Sequence, residues 1–144
     1  MKTTDPPIIV EQLLNANVKK VWNAITEVEQ MKKWFFDNIP SFKAEVGFET
    51  QFTVSAGERS FPHIWTITHV EVNKKITYNW RYGGYKGDSF VHFELHPGED
   101  DKTLIRVTTE VVEDFALDIP EFKRESCLGG WNYFIKENLN QYID

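Results

Sequence analysis

One cysteine in 144 residues, Cys127, leaves no partner for an intrachain disulfide and no thiolate cluster for a structural zinc site. Positive charge is also scarce. Sixteen Lys and Arg stand against 22 Asp and Glu, giving a formal charge of -6 and a pI near 5.2. Phosphate-rich partners select a basic footprint, so this balance argues against nucleic acid and anionic membrane as partners. Apolar runs are short, and none approaches the roughly 20 residues of a membrane-spanning helix. The opening MKTTDPPIIVEQLL has one Lys, an early Asp and two prolines before its first apolar run. A secretory leader starts basic and continues apolar, so the expected setting is cytoplasmic. No repeat, linker or low-complexity tract interrupts the chain. The six prolines (Pro6, Pro7, Pro40, Pro62, Pro97, Pro120) are read as falling between periodic segments. Globular scaling gives roughly 7,700 Å² of folded surface against roughly 24,500 Å² extended, enough burial for one core. The expectation is a single domain over residues 1–144.

Aromatic residues are abundant: eleven Phe, five Trp and five Tyr make up 15% of the chain. Ile8 to Leu14 reads as a first strand. Asn17 can cap a helix to about Thr26, with Val18, Val21, Trp22 and Ile25 at helical spacing, and a second short helix spans about Val28 to Phe35. Strands follow. Phe48-x-Thr50-x-Phe52-x-Val54 has period two, and His63 to Val72 forms a long strand. Ile76-x-Tyr78-x-Trp80-x-Tyr82 is the clearest alternation, succeeded by Val91-x-Phe93-x-Leu95 and Ile105-x-Val107-x-Thr109-x-Val111. From about Asp118 to Tyr142 the pattern turns helical, with Pro120 near its start and Trp131, Phe134, Ile135, Leu139 and Tyr142 in one stripe. Such a helix, roughly 37 Å long, can lie across one curved antiparallel sheet. This order predicts an α+β fold, with space between sheet and helix toward which the aromatic residues point.

The order of motifs resembles the activator-of-heat-shock-protein-90-ATPase homologue family. The residues that carry the resemblance are Asn17-Val-Lys-Lys-Val-Trp22, Glu29-Gln-Met-Lys-Lys-Trp34-Phe35 and Val46-Gly47-x-x-x-x-Phe52. With them go Val70 to Trp80, Val91-His-Phe-Glu-Leu95 and Gly130-Trp131-x-x-Phe134-Ile135. Together they span about residues 8–143. The resemblance implies the helix-grip fold of the START-like, birch-pollen-allergen-like superfamily, in which a bent sheet and a C-terminal helix enclose a cavity. It also implies a link to stress response. Trp65 stands where the family usually has Gly, Thr109 where many members have His, and Val72 where Pro is common. An indole at the Gly position is expected to narrow or reshape the cavity.

Little else in the sequence carries chemistry. His92 and His96 share a strand face but lie roughly 13 Å apart, too far for one ion. His63 and His69 are more distant still, so neither a metal nor another cofactor is expected. Cys127 lies one turn from Lys123 and Arg124, yet reads better as a buried, inert thiol. Most carboxylates sit in solvated runs, and Glu94 alternates opposite Val91, Phe93 and Leu95, so no catalytic residue is assigned. The aromatic face is the strongest feature. Tyr78, Trp80 and Tyr82 share one face of a strand, with Trp65 and Ile67 beside them and Phe93 and Val107 beyond. Trp34 and Phe35 close the second helix, Phe52 lies on the second strand, and Cys127 and Trp131 come from the long helix. These twelve are the candidate ligand-binding residues. The expected function is non-enzymatic binding of a small, mainly apolar molecule, aromatic or lipid-like. The alternatives are a chaperone-associated interaction module and a polyketide cyclase- or aromatase-like enzyme, both drawn from the resemblance.

Overall fold

A computed structural model describes all residues, 1–144. Strand β1 (Ile8–Leu14) buries Ile8, Val10 and Leu14 on one face, as its alternation requires. Helix α1 (Val18–Thr26) begins where the Asn17 side chain accepts the Lys20 backbone N–H at 3.0 Å, satisfying one otherwise orphaned donor. It buries Val21, Trp22, Ala24 and Ile25. Glu27, with ψ of 121°, breaks the helix before α2 (Val28–Trp34), which buries Met31 and Trp34. The remaining strands are β2 (Glu49–Ala56), β3 (Arg59–Glu71), β4 (Lys75–Tyr82), β5 (Asp88–Pro97) and β6 (Thr103–Glu113).

All six strands form one antiparallel sheet in the order β1-β6-β5-β4-β3-β2. Irregular register between Ile67 and His69 and between Asp88 and Ser89 marks bulges, which bend strands and increase their twist. The α+β helix-grip arrangement expected from the chain is the one observed. Its accessible surface, 7617 Å², is that of a closely packed chain of this mass.

Two expectations need correction. Pro62 lies inside β3 and Pro97 is the last residue of β5, rather than between periodic segments; β3 begins four residues earlier than its apolar pattern suggests. The missing N–H of Pro62 falls beyond the last β3–β4 pair, His63 with Tyr82, while its carbonyl still accepts from the Gly83 N–H at 2.9 Å. The long C-terminal helix also starts later. Pro120–Phe122 is an isolated 3₁₀ turn, and Lys123 (ψ 151°) is extended. Helix α3 (Arg124–Trp131) then runs without a break through a π-wound stretch, Asn132–Leu139, into α4 (Asn140–Ile143).

The wider winding has a packing consequence. The buried residues of the whole continuous helix are Trp131, Ile135, Leu139 and Ile143, each four apart, with Ile135 and Leu139 inside the π-wound stretch. In a regular α-helix every four-residue step overshoots one turn by about 40°. π geometry reduces that drift and keeps all four side chains on the sheet.

The main core joins both short helices, the C-terminal helix and the inner sheet face. A second, smaller cluster of Phe61, Phe115 and Phe122 closes one end. Gly87, at φ 123°, lies under it; a Cβ there would stand 2.2 Å from the Phe115 ring. The two sheet edges differ. Along β1, Lys136 donates to the Glu11 carbonyl at 2.9 Å, and the Arg124 guanidinium donates to the carbonyls of Pro6 and Pro7. Along β2, Asn38 takes the Thr53 carbonyl at 2.8 Å. No helix is long and apolar enough to cross a membrane.

Candidate functional site

Much of the space expected between sheet and helix is filled by stacked rings. Phe35, just past the end of α2, stacks on Trp34 at 4.6 Å and lies 5.4 Å from Trp65. It meets Phe134 edge-on at 4.9 Å. Trp65 is wholly buried and touches Phe52 at 4.8 Å, Trp80 at 4.9 Å and Tyr78 at 5.0 Å. Such pairs add about 0.5–1.5 kcal/mol each beyond the area they bury. Of the twelve candidate residues, Trp34, Phe35, Phe52, Trp65, Ile67, Tyr78, Phe93 and Val107 are enclosed in this packing. The large indole at position 65 occupies room that a glycine there would leave empty.

A cavity of about 150 Å³ remains between the sheet and α3. Four of the twelve, Trp80, Tyr82, Cys127 and Trp131, line it. Phe36, Phe115, Phe134 and Val91 complete its apolar wall, while His63, Ser89 and Thr109 contribute polar atoms. Gly130 lines it from α3 with open space around a would-be Cβ. Exposed Ser126 and half-exposed Met1 and Glu121 mark its solvent side, where Arg59 holds Glu121 through bonds of 2.8 and 3.0 Å.

Several of the polar groups already have partners. Ser89 Oγ donates to the Trp80 carbonyl at 2.8 Å, and the Trp131 indole N–H donates to the Thr109 hydroxyl at 3.0 Å. Burial pushes the Cys127 thiol up to about 11, so it is protonated and non-nucleophilic near neutrality. His63 is 6% exposed and packs among Phe52, Tyr82 and Phe36 at 4.8–5.1 Å. Burial lowers its pKa to about 4, so the ring is neutral. Its Nδ1 lies 2.9 Å from the Phe61 carbonyl, which can only accept, so Nδ1 carries the proton and Nε2 is left with a free lone pair. The Trp80 N–H leans toward the Tyr82 hydroxyl, but the two fall short of hydrogen-bond geometry. Burial raises the Tyr82 phenol far above its ordinary range, so it too is neutral.

His63, Ser89 and Thr109 were absent from the sequence-derived site, though the signal was there. Each occupies the same alternating face as a chosen residue: His63 with Trp65, Ser89 with Phe93, Thr109 with Val107. Phe134 was legible as part of the C-terminal stripe but was read as packing, and Phe36 carried less signal, since it follows the end of α2.

The sequence model of the family described as activator of Hsp90 ATPase homolog 1-like protein matches residues 15–144. The chain belongs to that family. Among solved structures, it resembles the Aha1 dimer of Colwellia psychrerythraea at 20% identity and a TM-score of 0.72, over 96% of each chain. A protein of Chromobacterium violaceum is similar at 19% identity and a TM-score of 0.77, over 95% of this chain and 96% of that one. DynU16, from the dynemicin biosynthetic locus, is similar at 22% identity and a TM-score of 0.74. That likeness covers 96% of this chain but only 47% of DynU16, so the family member spans about half of that protein. At these identities the likeness establishes the shared fold. No curated relative matches the sequence.

Proposed function

We propose that this family member binds a small, mainly apolar molecule about the size of one aromatic ring, without covalent chemistry. The cavity between sheet and α3 carries this reading: it is about 150 Å³, walled by Trp80, Trp131, Phe36 and Phe134. An apolar cavity of roughly that volume takes up benzene, whereas drug-sized ligands occupy about 300–1,000 Å³. A lipid chain or a multi-ring polyketide needs more room, so the size weighs against the lipid-like and cyclase-like alternatives. The protonated Cys127 thiol supports binding over nucleophilic catalysis.

Toluene, titrated at neutral pH, tests the reading. Saturable quenching of tryptophan fluorescence is expected, because Trp80 and Trp131 form the wall. Thermal stability should rise by about 2.7 kcal/mol at a hundred times the dissociation constant. Gly130→Leu, which projects a side chain into the cavity, should abolish both effects. If no ring-sized probe saturates, the proposal fails and the chaperone-linked reading, which family membership favours, takes its place.

A further inference from the structure

Resting on that reading, we infer that the cavity selects a neutral single-ring aromatic bearing a hydroxyl group, a phenol, held by His63 and Tyr82. The walls are apolar, but the polar atoms left over are specific in kind. Ser89 and Thr109 are hydrogen-bonded within the chain. His63 Nε2 has a lone pair and no partner, on a ring fixed by its Nδ1–H bond to Phe61. The Tyr82 hydroxyl has a proton to give, and the buried Trp80 N–H beside it is unpartnered.

A ligand matching both sides must donate one hydrogen bond and accept another at the same end, which a hydroxyl does. A carboxylate cannot. It has no proton for His63 at neutral pH, and no Lys or Arg lines the cavity. The charges at the opening are both already engaged: Glu121 is paired with Arg59, and the Met1 ammonium donates to the Phe122 carbonyl at 2.8 Å. A bare hydrocarbon fills the volume but leaves His63 Nε2 and the Tyr82 hydroxyl cut off from water and unsatisfied, the situation in which polar sites discriminate most sharply.

The ranking of three probes decides the matter. In a purely apolar cavity toluene outbinds phenol, because phenol surrenders its hydrogen bonds to water. Calorimetric titration at pH 7 is expected to give the reverse, with phenol at least tenfold tighter than toluene and benzoate not bound. Tyr82→Phe, which keeps the ring, should weaken phenol at least threefold and leave toluene within twofold. His63→Phe should bring phenol to the level of toluene or below. Tyr82→Phe carries the comparison if the His63 variant does not fold. Toluene binding as tightly as phenol, or unchanged phenol affinity in Tyr82→Phe, overturns the hydroxyl inference while the binding reading stands. Failure of both phenol and toluene to bind overturns both.

Discussion

Mild acid should weaken this fold through His63. The folded ring titrates at about 4 because burial disfavours its cation, while an exposed histidine titrates near 6.5. The unfolded chain therefore binds the proton more readily. The stability linked to this group is fully present above pH 6.5 and is lost as pH falls toward 4. A gap of about 2.5 pH units, at ~1.4 kcal/mol each, makes the whole effect about 3 kcal/mol, of which roughly three quarters should be gone by pH 4.5. Phe36, Phe52, Trp80 and Tyr82 surround the ring, and no carboxylate is there to compensate. Glu71, Asp114 and Glu121 have lowered pKa values, so their contributions fade only at more acidic pH. His92, half-buried with its pKa also lowered, acts in the same direction as His63. Urea denaturation at pH 7.0, 5.5 and 4.5 on the wild type and His63→Phe separates the two. The variant's stability should depend on pH much less than that of the wild type. Parallel pH profiles for the two proteins would refute the placement of a neutral, buried His63.

The glycines and the cysteine give further tests. Gly129→Ala and Gly130→Ala should each raise stability by about 0.5–1 kcal/mol, because the backbone there is helical and a Cβ meets nothing within 4 Å. Toluene titration should show weakened affinity in Gly130→Ala alone, since that residue faces the cavity. Gly87→Ala should cost about 2–5 kcal/mol by chemical denaturation, combining its φ of 123° with a Cβ 2.2 Å from the Phe115 ring. Cys127 should react with iodoacetamide at pH 8 about a hundredfold more slowly than in the denatured chain, matching a thiol raised from 9.0 to about 11. Equal rates in the two states would contradict its burial.

Alternation made the inner face legible. Trp65, Ile67, Tyr78, Trp80, Phe93 and Val107 were all read as pointing inward, and all are buried. So was the start of α1, because the Asn17 cap is a local event between residues three apart. What alternation does not encode is which inward side chains meet each other and which meet empty space. That depends on Phe35 and Phe36, delivered by a segment with no period of its own, and on how far they reach toward Trp65 and Phe134. The start of the long helix was illegible for a related reason. Pro120 suits the first turn of any helix, and the extended Lys123 that separates its 3₁₀ turn from α3 carries no residue-type signal.

The unequal treatment of the two sheet margins limits how copies of this chain can join. Lys136 and Arg124 reach across from the C-terminal helix and occupy carbonyls along and just before β1, denying them to an incoming strand. Along β2 the one carbonyl so covered is that of Thr53, so the two edges differ chiefly at the entry to β1, where Arg124 holds the Pro6 and Pro7 carbonyls. Continuous ribbons require a donor edge and an acceptor edge on every copy, as head-to-tail growth does in general. With the entry to β1 occupied by the C-terminal helix, β2 is the less obstructed margin, and pairing β2 with β2 about a two-fold axis is the strand addition that meets the fewest contacts. An edge that in other sheets invites fibres is, in this one, biased toward a closed pair.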